Sequence, residues 1–80
     1  MFTVYGKEDC TYCVQAVELL KQNGEEFTYK KLGVDYSKES LLSIIGEFGV
    51  IPRSVPQIVK DGEYVGGYDA LKNLLTAQKM

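Results

Sequence analysis

Two cysteines stand three residues apart in the segment DCTYCVQAVELL, residues 9–20, and they are the only two in the chain. Thiols at this spacing can hold a metal, staple a fold, pack as small hydrophobic groups or exchange electrons. A closed zinc site takes four ligands, usually cysteine and histidine, whereas this chain offers two cysteines and no histidine. No metal site is therefore expected. A staple gains strength with the length of the loop it closes, and the loop between Cys10 and Cys13 is tiny. Such a bond holds little and opens cheaply. On a helix, positions i and i+3 share a face with Cβ atoms about 5–6 Å apart, close to what a disulfide requires. Cys10 and Cys13 can thus pass between dithiol and disulfide with small backbone adjustment. Two inert buried thiols are the bland alternative; a CxxC straight after a strand and opening a βαβ unit argues for redox use.

The two sulfurs are not equivalent. Cys10 falls at the start of a helix, next to unpaired N–H groups and the positive end of the dipole, which favours its thiolate. Cys13 lies one turn in and is expected to be more buried, so Cys10 reads as nucleophile and Cys13 as resolving thiol. A free thiol of pKa about 8.5 is only about 3% ionised at pH 7, and bringing it to about 6 needs roughly 3.4 kcal/mol in favour of the anion. A helix dipole supplies about 0.3–1 kcal/mol, occasionally about 2. Direct N–H to sulfur bonds and a nearby cation must supply the rest, and Lys7 is the cation closest in sequence. Glu8 and Asp9 are expected to oppose the anion if they face the sulfur.

The elements around the motif follow from periodicity. Phe2 to Tyr5 is short, apolar and β-branched or aromatic, and Gly6 ends it, which predicts a buried strand. Cys13, Val14, Ala16, Val17, Leu19 and Leu20 give an apolar helix face from Cys10 to about Asn23, stopped by Asn23-Gly24. Phe27 to Leu32 alternates as a second strand, parallel to the first in a right-handed βαβ unit. Ser37 caps a second helix with Tyr36 and Leu41 as its hydrophobic staple and Leu41, Ile44, Ile45 and Phe48 as its seam. Gln57 to Lys60 and Glu63 to Val65 flank Asp61-Gly62, a type I′ hairpin signal, and Gly66-Gly67 ends the hairpin. Asp69 caps a last helix with Leu71, Leu74 and Leu75 on one face, followed by a polar tail from Thr76 to Met80.

Composition bounds the function. With 45% hydrophobic and 25% charged residues the chain is expected to fold rather than stay disordered. Its 80 residues suit one domain, 1–80, near the lower size for a self-sufficient core. Nine basic against eleven acidic residues give a net charge of −2, so no field draws a phosphate backbone and nucleic acid is not expected as a partner. No stretch approaches the roughly 20 apolar residues that span a bilayer, and the N-terminus has no leader pattern. The expectation is a cytoplasmic monomer away from membranes.

These residues resemble the glutaredoxins, small members of the thioredoxin-like fold. The family motif usually reads CPYC, and Cys10-Thr11-Tyr12-Cys13 keeps both thiols and the tyrosine, with threonine for proline. Lys7 stands three residues before the first thiol, Arg53-Ser54-Val55-Pro56-Gln57 is similar to the family's RTVPQ segment, and Gly66-Gly67-Tyr68-Asp69 is similar to its GGxD region. The matches span nearly the whole chain. The resemblance implies an α/β thioredoxin-like (glutaredoxin-type) fold, a four-stranded mixed sheet with three helices in the order β-α-β-α-β-β-α. It implies a dithiol oxidoreductase that reduces protein disulfides and glutathione mixed disulfides, with glutathione as co-substrate and no permanently bound cofactor. Ribonucleotide reductase is among the clients it suggests.

The resemblance also assigns the binding residues. Lys7 and Arg53 would hold the glycyl carboxylate of glutathione, Tyr12 would line the groove, and the Val55 backbone would pair with the cysteinyl unit. Gly67, Tyr68 and Asp69 would receive the γ-glutamyl end. A cis bond is implied before Pro56, whereas the residues alone favour the commoner trans form. Where many glutaredoxins carry an aspartate that binds the glutathione amine, this chain has Ala70. Two other readings use the same thiols. One is a thioredoxin-like or redoxin-type carrier reduced by a flavoprotein reductase, which Ala70 keeps open and the missing tryptophan before the motif weakens. The other is an iron–sulfur module in which Cys10 of two chains and two glutathiones hold a cluster.

Overall fold

The computed structural model describes residues 1–78. Seven elements follow one another: β1 Phe2–Gly6, α1 Thr11–Gln22, β2 Phe27–Lys31, α2 Lys38–Gly46, β3 Gln57–Lys60, β4 Glu63–Gly66 and α3 Tyr68–Gln78. The sheet order is β2-β1-β3-β4. β1 pairs in parallel with β2, Phe2 opposite Phe27, and antiparallel with β3, Tyr5 opposite Gln57. β3 and β4 form an antiparallel hairpin with an irregularity between Ile58 and Val59. Its turn residues Asp61 and Gly62 both have positive φ, 48° and 83°, the backbone a type I′ turn demands.

Strand alternation splits the core in two. Side chains two apart share a face, so Phe2 and Val4 point one way and pack with Ala16 and Leu20 of α1, Ile58 of β3 and Leu71 and Leu75 of α3. Tyr5 lies in the second cluster, with Tyr36 and with Leu41 and Ile45 of α2. The sheet is thereby covered by α1 and α3 on one face and by α2 on the other. Each helix buries residues spaced three or four apart, the stripe an amphipathic helix presents.

Several boundaries differ from expectation. Val14 is 60% exposed; α1 buries the narrower stripe Cys13, Ala16 and Leu20. α2 ends at Gly46, and Gly49 has φ 78°, so Phe48 leaves the helical seam and sets its ring 5.8 Å from that of Tyr64. β2 stops at Lys31, and Leu32 only bridges to Tyr36. α3 begins two residues early, at Tyr68, the Leu71 N–H donating to the Gly67 carbonyl at 3.1 Å. Asp69 therefore stands in the first turn, where the helix dipole favours a carboxylate, and does not precede it as a cap. The polar tail continues helically through Gln78; Lys79 and Met80 lie outside the described residues.

Candidate active site

A parallel strand that runs into a helix delivers its connecting loop to the edge of the sheet where ligands of open α/β sheets gather. Here that loop is Lys7 to Cys10. Two tyrosines hold it from below. The buried Tyr36 hydroxyl donates to the Gly6 carbonyl at 2.7 Å, which also accepts the Leu32 N–H at 2.9 Å. The Tyr29 hydroxyl donates to the Lys7 carbonyl at 3.1 Å. Burial raises both phenols above the ordinary tyrosine value, so both stay protonated donors. Gly6 is required by this arrangement, because a Cβ there would lie 2.8 Å from ring carbons of Tyr29.

Cys10 occupies the N-cap of α1, with extended backbone, and its sulfur accepts the Cys13 N–H at 3.2 Å. A sulfur thus takes the position usually filled by a serine or aspartate oxygen. Cys10 and Cys13 form a disulfide with Cα atoms 5.2 Å apart. Cys10 is 9% exposed and Cys13 fully buried. The Glu8 carboxylate, expected to oppose a thiolate if it faced the sulfur, is instead bound by Lys31, Oε1 to Nζ 2.5 Å. The hydrogen bond and charge of Lys31 hold the Glu8 carboxyl below its ordinary value, and Glu8 raises Lys31 in turn.

Opposite the motif runs the segment Ser54 to Gln57. The Val55-Pro56 bond is cis, as the family resemblance implies and against the trans form favoured by the residues alone. The Val55 carbonyl oxygen lies 4.0 Å from Cys10 Sγ. Gln57 is 6% exposed, and its side-chain amide donates to the Ser54 carbonyl at 2.7 Å while its Oε1 accepts the Tyr64 hydroxyl at 2.7 Å. A relay from β4 through β3 therefore pins the segment that faces the sulfur.

Two open clefts meet at Ser54 and Val55. The first, about 580 Å³, is lined by Cys10, Lys7, Lys38 and Arg53 with an apolar wall from α2 and Pro52. The second, about 520 Å³, is lined by Tyr12, Val55, Pro56, Gly67, Tyr68 and Asp69, with Ala70 at its edge. The Tyr12 and Tyr68 rings are 5.9 Å apart. Every residue assigned from the sequence to catalysis or to glutathione thus lines one cleft or the other, except the buried Cys13. Sequence reasoning missed Gln57, Tyr64 and the two loop-holding tyrosines, whose partners are 3 to 30 residues away in the chain. It also missed Lys38, which carried no signal beyond its charge. Among the described residues no group of three or more metal-ligating side chains is brought together, and no helix is long and apolar enough to cross a membrane.

A family model for glutaredoxin matches residues 2–65. Over 71 residues the chain is 35% identical to Glutaredoxin-C2 of Arabidopsis thaliana, which covers 89% of this chain and 63% of that protein. The chain thus spans somewhat under two thirds of that relative. Glutaredoxin 1 from Francisella tularensis, solved with cacodylate, superposes with a TM-score of 0.78 at 26% identity, covering 98% of this chain and 92% of that one. A buckwheat glutaredoxin–glutathione complex superposes with a TM-score of 0.71 at 25% identity, covering 98% of this chain and 70% of the other.

Proposed function

The chain belongs to the glutaredoxin family, and from that premise we propose that it is a glutathione-dependent dithiol–disulfide oxidoreductase, its residues 1–80 forming one domain. The observation that carries the reading is the placing of Cys10: an N-cap sulfur that accepts an amide N–H and borders a cationic cleft. Both features favour a thiolate, and pairing of Glu8 with Lys31 offsets one of the two carboxylates next to the motif.

In the forward reaction the Cys10 thiolate attacks one sulfur of a client disulfide. That bond breaks, a Cys10–client disulfide forms, and the displaced client sulfur leaves as a thiolate that takes up a proton. Cys13, one helical turn away, then attacks Cys10 Sγ, releasing the second client thiol and leaving the Cys10–Cys13 disulfide. Two glutathione thiols return the pair to the dithiol and leave as oxidised glutathione. With a glutathione mixed disulfide as substrate, Cys10 takes the glutathionyl sulfur and a second glutathione resolves it. Lys7 and Arg53 would hold the glycyl carboxylate by charge-assisted bonds, Tyr12 and the Val55 backbone the middle of the tripeptide, and Gly67, Tyr68 and Asp69 its γ-glutamyl end. The buckwheat relative solved with glutathione supports glutathione as the ligand. Clients would be disulfide-bearing proteins, ribonucleotide reductase among them, met by a monomer in the cytoplasm.

Ala70 at the edge of the second cleft favours one rival, a redoxin-type carrier served by a flavoprotein reductase, because a methyl group cannot bind the glutathione amine. The test is reduction of the mixed disulfide of glutathione and 2-mercaptoethanol, with either glutathione or a thioredoxin reductase as electron source. Turnover with glutathione is expected. Turnover with the reductase alone would reject the glutathione-dependent reading in favour of the carrier.

A further inference from the structure

The first cleft holds more positive charge than glutathione uses. In the orientation above only the glycyl carboxylate enters it, and Lys7 and Arg53 suffice for one carboxylate. Lys38 is a third cation on the same cleft, and no carboxylate lines it among the described residues. This concentration occurs in a chain whose net charge is −2. Helix stability does not explain Lys38 either. It is the first residue of α2, where the dipole disfavours a cation, and among the described residues it is in no ion pair. One turn further on, Leu42 lies on the same helix face as Lys38, lines the same cleft and is 49% exposed. Pro52 adds to the wall, and its chain neighbour Ile51 is 70% exposed.

We propose that this outer half of the cleft docks the client polypeptide, and that it selects a segment with an acidic residue beside an apolar one next to the disulfide cysteine. The acid meets Lys38 and the apolar side chain covers Leu42 and Pro52, while the client sulfur reaches Cys10. The surface adds no chemical step; it orients the disulfide for the exchange already described, and so rests on that function. An exposed ion pair is worth up to about fivefold in affinity, and reversing the client's charge replaces attraction by repulsion, so a preference of about tenfold is expected at low salt.

The experiment uses the full chain with glutathione as reductant and two synthetic disulfide peptides, one with Asp-Leu and one with Lys-Leu beside the cysteine. The mixed disulfide of glutathione and 2-mercaptoethanol serves as the small substrate. Expected are a kcat/KM for the Asp-Leu peptide about tenfold above that for Lys-Leu, shrinking with added salt. Lys38→Glu is expected to invert the preference and Leu42→Ser to raise KM for both peptides, and in each variant the small substrate is expected to lose less than the peptides do. Equal rates on the two peptides, with the small substrate turned over normally, would overturn the docking surface alone. A loss on the small substrate as large as on the peptides in Lys38→Glu would also overturn it, assigning Lys38 to glutathione. Failure of native protein to turn over the small substrate with glutathione would instead remove the underlying function, and the inference with it.

Discussion

Replacing Gln57 by glutamate tests the relay that holds the segment facing Cys10. Gln57 is buried, and its amide both donates to the Ser54 carbonyl and accepts from Tyr64, each at 2.7 Å. A carboxylate keeps the second bond but loses the first, turning an attraction to Ser54 into an oxygen–oxygen repulsion. A buried polar group left without its partner costs about 1–3 kcal/mol. For a domain of this size each kcal/mol lowers Tm by about 4–8 °C, so a loss of about 2 kcal/mol corresponds to about 8–16 °C. The protonated acid, in contrast, can donate to Ser54 and still accept from Tyr64. Burial thus raises the folded-state pKa of the new carboxyl, and its stability contribution is present below the unfolded value and lost as pH rises through the folded one. Melting curves of native and Gln57→Glu protein between about pH 5 and about pH 8, bracketing that titration, should show a deficit that widens with pH. KM for the glutathione mixed disulfide should rise in parallel, with kcat less affected. A Tm deficit independent of pH would refute the relay, leaving Gln57 as ordinary buried volume.

Other perturbations separate the remaining parts of the site. Gly6→Ala places a Cβ 2.8 Å from ring carbons of Tyr29; such overpacking costs about 1–3 kcal/mol, and displacing the hydroxyl from the Lys7 carbonyl should lower turnover as well as Tm. Lys7→Ala with Arg53→Ala should raise the glutathione concentration needed for half-maximal rate by about tenfold or more, given the worth of charge-assisted bonds, and an unchanged requirement would reject their assignment. Lys31→Met should leave the Glu8 carboxylate unpaired beside the motif, raise the Cys10 thiol pKa and slow its alkylation at neutral pH. Because pairing lowers the Glu8 pKa, the pair is intact at neutral pH, and the difference between Lys31→Met and native protein should vanish as pH falls through the Glu8 titration, where the neutral carboxyl no longer opposes the thiolate.

Much of this architecture was legible in local pattern, because each element carries its own period. Phe2 and Val4 against Tyr5, Leu41 against Ile45, and the Asp61-Gly62 turn all name their structure within a few residues. Where pattern ends is less visible. Phe48 continues the spacing of α2 but follows Gly46, and glycine weakens a helix interior without announcing the stop. Val14 is apolar yet exposed because α1 covers the sheet with a narrower stripe than its composition suggests. In the site, the thiols and cations could be read from type and spacing. The groups that hold them could not: Tyr36 reads as a staple for α2, and only the fold brings its hydroxyl to Gly6, 30 residues earlier. Gln57 likewise reads as a polar strand residue until burial shows that both ends of its amide are committed. The exposure of Lys38 and Leu42 to one cleft depends on how α2 lies across the sheet, which helix periodicity does not specify.

The division of labour between the two sulfurs is the central claim, and serine substitution at each, assayed on two substrates, tests it most directly. Cys10→Ser should abolish exchange with both a protein disulfide and a glutathione mixed disulfide, since no nucleophile remains at the N-cap. Cys13→Ser should keep reduction of the mixed disulfide, where a second glutathione resolves Cys10, and lose most reduction of the protein disulfide. Equal loss of both activities in the two variants would contradict the account.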